Sequence, residues 1–162
     1  MRLIKYLFLF LIIISCNSGE SEEDTIDYFE IIVQESPWIL DRVEILEIEG
    51  ENGYTFTQSE IEELAEIMKN NFYCTFDFYN NGTGQWNSEG YCPNCEIIWN
   101  LILEENKIEW ANRSYIHSYY IRSINQTIEI IWNINYENGF GFWKPDGTRV
   151  NGNRLIGNYV WN

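Results

Sequence analysis

Three thiols and one imidazole, Cys74, Cys92, Cys95 and His117, hold the reactive chemistry of this chain after residue 70. Cys92-Pro93-Asn94-Cys95 has the spacing of a redox dithiol, which works when a helix N-terminus lowers the pKa of the first thiol. Residues 96–103 alternate like a strand, so that environment is not expected. The three thiols with His117 also make up the donor types of a Cys3His zinc centre. A disulfide is the third possibility. Cys74 precedes a hairpin turn at Asn81-Gly82, and Cys92 and Cys95 follow the return strand. A staple from Cys74 to either partner closes a loop of about twenty residues, worth about 3 kcal/mol.

The start of the chain selects among these. Arg2 and Lys5 precede an apolar run over residues 6–14, and Ser15-Cys16 ends it. A membrane-spanning helix needs about 20 apolar residues, so this run is a secretory leader over residues 1–15. Export puts the thiols in an oxidising compartment, which favours the disulfide over zinc or redox catalysis. No metal and no cofactor is expected.

The remaining catalytic grammar is thin. His117 alternates with Tyr115 and Tyr119, as a packed histidine inside a barrel would. There is no Ser-His-Asp order, no histidine cluster and no glycine-rich phosphate loop. Carboxylates lie in solvated groups such as Glu60, Glu62, Glu63 and Glu66, and a chain with 25 acidic residues contains chance pairs resembling a hydrolase dyad. No catalytic residue is expected, and the protein is read as non-enzymatic.

A cysteine at the cleavage point resembles the lipobox of bacterial lipoproteins. That resemblance implies cleavage before Cys16, acylation (palmitate among the chains) of its thiol and new amino group, and a membrane anchor worth ~0.8 kcal/mol per buried methylene. Residues 16–35 then read as an acylated cysteine and a flexible acidic tether. Ser21-Glu22-Glu23-Asp24 resembles the acidic export signal of Bacteroidota lipoproteins, which implies an outer-membrane, lipid-anchored protein facing the cell exterior. Asp24-Thr25-Ile26 resembles the O-glycosylation acceptor of the same phylum, with Thr25 as the modified residue.

Of 10 basic residues two leave with the leader, so the mature chain carries 8 against 25 acidic ones, a net charge of −17. Such a surface repels phosphate backbones, which excludes nucleic acid as a partner and leaves basic proteins open. Aromatic residues make up 17% of the chain, a composition that suits strands.

The positioning elements follow from periodicity. Trp38, Leu40, Leu46 and Ile48 mark a first strand with a bulge near residues 42–45. Runs built on Phe72, Cys74, Phe76 and Phe78, on Ile97, Trp99, Leu101 and Leu103, and on Tyr115, His117, Tyr119 and Ile121 follow. Ile128, Ile130, Trp132, Ile134 and Tyr136 form the clearest alternation. Turn pairs such as Asn81-Gly82, Asn138-Gly139 and Asp146-Gly147 separate the runs. The pattern is all-β, an antiparallel meander of about eight strands closing into a barrel over residues 36–162. One helix over residues 59–70 lies between the first two strands, with Ser59 and Glu62 as its capping box and Ile61, Leu64, Ala65 and Met68 on one face. It is expected to plug one end of the barrel.

Ser36-Pro37-Trp38-Ile39-Leu40, the hairpin from Phe76 to Gly84, and the Ile98-Trp99-Asn100-Leu101 and Asn106-Lys107-Ile108 step resemble, in that order, the lipocalin-like domains of Bacteroidota lipoproteins. In place of the glycine of the lipocalin Gly-x-Trp, Ser36 stands two residues before Trp38. The resemblance implies a cell-surface binding protein, with Phe76, Phe78, Trp99, Tyr119, Trp132 and Tyr136 lining a site for a small apolar ligand or another envelope component. Large aromatics pointing inward occupy volume, so the same stripe is expected to form a core filled by its own side chains rather than a pocket. The alternative function is that of an acidic immunity or inhibitor lipoprotein masking a basic protein partner.

Overall fold

A computed structural model describes residues 27–88, 91–112, 115–124 and 127–162. Cys16 and Thr25 lie outside the described residues. Strands β1 (Trp38–Gly50), β2 (Cys74–Phe78), β3 (Thr83–Ser88), β4 (Cys92–Ile102), β5 (Lys107–Asn112), β6 (Tyr115–Ile124), β7 (Thr127–Tyr136), β8 (Phe140–Trp143) and β9 (Arg149–Trp161) are joined by helices α1 (Tyr28–Gln34) and α2 (Gln58–Asn71). The sheet runs β1-β2-β3-β4-β5-β6-β7-β9, and a β1–β9 pairing closes it into an eight-stranded antiparallel barrel. This is the expected fold class and is consistent with a lipocalin-like barrel. β8 adds a short ribbon on β9 beyond the closed wall.

Alternation sends one side chain in two to the interior. In β7, Ile128, Ile130 and Ile134 are buried while Asn133 and Asn135 are exposed. In β1 the period breaks, with register shifts between Leu40 and Arg42 and between Ile45 and Glu47. The second shift lies past the single bulge that the pattern suggested, and Leu46 therefore points outward, 63% exposed. Leu103, expected inward, is also exposed, in a 3-10 turn after β4.

The N-cap of α2 lies two residues earlier than expected. Thr57, not Ser59, is the N-cap: its hydroxyl accepts from the Glu60 backbone N–H at 3.3 Å, and the Glu60 carboxylate accepts from the Thr57 N–H at 2.8 Å. Both Thr57 and Ser59 have a glutamate three residues on, so local grammar alone does not choose. The chosen start turns Leu64, Ile67 and Met68 toward the barrel, where α2 packs on β1 and β8 as a plug.

The tether expected to run to residue 35 ends earlier, because residues 28–34 form α1. Asp27 caps it by accepting from the Glu30 N–H at 3.1 Å. Seven residues are too few to hold a helix on propensity alone. Packing holds it: Ile32 is fully buried, Phe29 stacks on Trp99 at 5.1 Å, and the Ile32 carbonyl accepts from Trp38 Nε1 at 2.9 Å. The Ser36 hydroxyl accepts from the Phe78 N–H at 3.0 Å and donates to the Ile32 carbonyl at 3.2 Å, tying α1 to β2. α1 and α2 thus cap opposite ends of β1 and β2.

Candidate functional site

Phe76 occupies the middle of the barrel, with the rings of Phe78, Trp110, Tyr119 and Trp161 at 5.8, 5.3, 5.4 and 5.6 Å. Trp99 packs on Phe78 at 5.0 Å, and its Nε1 donates to the Tyr79 and Thr83 carbonyls, clipping the β2–β3 turn. Toward α2, Trp132 meets Tyr119, Phe72 and Tyr159 at 6.0, 5.1 and 5.6 Å. The structure therefore brings Phe76, Phe78, Trp99, Tyr119 and Trp132 into one continuous ring-to-ring core, in which the side chains themselves take up the interior. Tyr136 stands apart, 38% exposed at the rim against Phe142. Trp110 and Trp161 belong to this core and are absent from the expected stripe. Their signal was present in the Ile108-x-Trp110 and Tyr159-x-Trp161 alternations.

Few polar atoms reach this interior. Trp161 Nε1 donates to the Cys74 carbonyl at 3.2 Å, and among the described residues the indole nitrogens of Trp86 and Trp110 are buried with no hydrogen-bond partner. Burial pushes the Tyr119 hydroxyl well above its ordinary pKa of 10. His117 stacks on Trp110 with centroids 4.2 Å apart, and burial lowers its pKa, so it is a neutral packing residue at pH 7.

The cysteines pair differently from the expected staple. Cys92 bonds to Cys95, with Cα atoms 5.6 Å apart, and Cys74 is free and buried. Strand order is the reason. β3 lies between β2 and β4, with Cys74 opposite Ser88 and Ser88 opposite Cys92. Two interstrand steps of about 4.8 Å exceed the ~7 Å limit for a disulfide. The bond formed instead spans a bulge, where the pairing passes from Trp86↔Cys95 to Ser88↔Cys92. Asn94, at φ 57°, donates its backbone N–H to the Asn87 side chain at 2.8 Å there. Burial pushes the Cys74 thiol up to about 12, which leaves it protonated and a poor nucleophile.

The two outer walls differ. On the β6–β7–β9–β1 side, Arg42 and Arg122 alternate with Glu44 and Glu129 in a closed ring. Arg42 Nη2 lies 2.8 Å from Glu44 and 2.6 Å from Glu129, and Arg122 Nη2 lies 2.7 Å from each. Hydrogen bonds from Arg122 foremost, then from Arg42 and Asn158, hold the Glu44 carboxyl at about 2 against the opposing effect of burial. The outward-facing Val160 and Ile131 lie in register beside this ring and are buried. On the β3–β6 side, Ile98 and Ile116 are 70% and 76% exposed. A surface hollow of about 400 Å³ opens there, lined by Tyr79, Thr83, Gln85, Glu96, Ile98 and Ala111.

The chain matches no known protein family, no curated protein and no solved structure. The barrel is a fold compatible with a binding protein.

Proposed function

We propose that this is a non-enzymatic binding protein, held at the outer membrane by acyl chains on Cys16 and facing the cell exterior, that engages a basic protein partner through its outer surface. The observation that carries this reading is the aromatic interior. A barrel that binds a small apolar molecule keeps a cavity of roughly 300–1,000 Å³ for it, whereas here the residues assigned to such a site pack on one another. Binding then falls to the outside, and an acidic outside favours a cationic partner by steering and complementarity. The buried, protonated Cys74 thiol and the packing of His117 against Trp110 support the non-enzymatic reading. The leader and Cys16 support the address.

Two measurements test this. Cells fed an alkyne fatty acid should label the wild-type protein and not a Cys16→Ala variant; unlabelled wild type would remove the anchor. Native mass spectrometry of the domain without its acyl anchor should show the mass of the chain alone. A lipid retained at one copy per chain would return the ligand to the interior and overturn the outer-surface reading.

A further inference from the structure

Resting on that reading, we infer that the partner docks on the β3–β6 wall, and that the docked element is a basic amphipathic helix lying across the strands. Thr83 on β3, Ile98 on β4, Ala111 on β5 and Ile116 on β6 are neighbours in register and form one row on the outer face. The rows to either side are polar and acidic. Asp77, Gln85 and Glu96 run along one flank, and Asn100, Glu109 and Ser118 along the other. An apolar line with Asp77 and Glu96 on one flank and Glu109 on the other is the complement of a helix with an apolar stripe and Lys or Arg on its shoulders. Three strand spacings of about 4.8 Å make a line of about 14 Å, which a helix of about ten residues covers.

The contrast between walls separates a docking face from ordinary exposure. Across the barrel, outward Val160 and Ile131 lie beside the Arg42–Glu44–Arg122–Glu129 ring and are buried. Nothing among the described residues covers Ile98 and Ile116. Among the described residues, Lys107 on this wall is already held between Glu105 at 2.6 Å and Glu109 at 2.9 Å. A second copy of this chain would bring acidic flanks against acidic flanks, and an anionic membrane would meet the same repulsion. A basic protein helix relieves it.

The test uses two synthetic 18-residue helical peptides, one of Leu and Lys and one of Leu and Glu, titrated against the folded domain at low and high salt. The Leu/Lys peptide should bind one to one and weaken with salt, and the Leu/Glu peptide should not bind. Ile98→Asp with Ile116→Asp should weaken Leu/Lys binding roughly tenfold or more. Circular dichroism and thermal unfolding should be unchanged, since both side chains face solvent. Leu46→Asp, on the opposite wall, should bind as wild type. Undiminished binding by the double Ile variant overturns the docking face and leaves the basic-partner reading standing. No binding of the Leu/Lys peptide by wild type overturns both. Equal binding of both peptides removes the charge argument. A wild-type dimer in sedimentation that the Ile98→Asp change dissociates would give the face to a second copy instead.

Discussion

Replacing Glu44 by Gln removes one corner of the ion-pair ring on the β6–β7–β9–β1 wall while keeping its shape. In the folded protein that carboxyl titrates near 2, against an ordinary 4.5, and its side chain is 24% exposed. A shift of that size is worth about 3 kcal/mol at 1.36 kcal/mol per pH unit. Partial exposure screens some of it, so about 2 kcal/mol is the working figure. The sign follows from linkage. A folded-state pKa below the unfolded one stabilises fully above the unfolded value, and the contribution is lost as pH falls from about 4.5 toward 2. Urea unfolding of wild type and Glu44→Gln, repeated from pH 7 to pH 2, should show a gap of about 2 kcal/mol at neutral pH that closes across that window. Titration of the carboxylates outside the ring cancels in the difference. A gap that stays constant down to pH 2, or widens on acidification, would refute the reasoning.

Breaking the Cys92–Cys95 bond by the double Ser variant should cost about 2 kcal/mol in urea unfolding, the value for a four-residue loop rather than the about 3 kcal/mol of the wider staple. With Cys16 acylated, a thiol reagent should find no reactive group in the native protein at neutral pH, and in denaturant one, Cys74. Phe76→Ala should cost about 3–5 kcal/mol in thermal or urea unfolding, because the surrounding rings cannot all close the gap. Tyr136→Ala, at the rim, should cost less than about 1 kcal/mol by the same measurement. Phe29→Ala with Ile32→Ala should free α1 from the barrel end, seen as a red shift in tryptophan emission when Trp38 and Trp99 meet water. An unchanged spectrum would show that α1 does not seal that end.

Much of the fold was legible because strand formation here is local. Period-two alternation in residues 128–136 and 115–121 defines β7 and β6 without reference to the rest of the chain, and Asn81-Gly82 and Asp146-Gly147 turn the β2–β3 and β8–β9 hairpins, whereas Asn138-Gly139 joins two strands that both pair with β9. Once about eight such strands follow one another through short turns, closure into a barrel is the solution that leaves no long edge. The inward membership of Phe76, Phe78, Trp99, Tyr119 and Trp132 follows from the same alternation.

What the residues could not state alone depended on neighbours across space. Whether Cys74 reaches Cys92 depends on β3 lying between their strands, a fact of sheet order rather than of spacing along the chain. The second shift that turns Leu46 outward arises where β1 matches its register to β9, more than 100 positions later. α1 is too short to form on propensity and exists because Trp38, Trp99 and Phe78 give it a surface. The aromatic stripe fills the barrel instead of lining a void because Trp110 and Trp161 join it from β5 and β9, and only the closed sheet brings the seven rings together. Alternation along each strand set which side chains turn inward. The order and closure of the strands set which of them meet, and with that whether the inside or the outside of the barrel is left to bind.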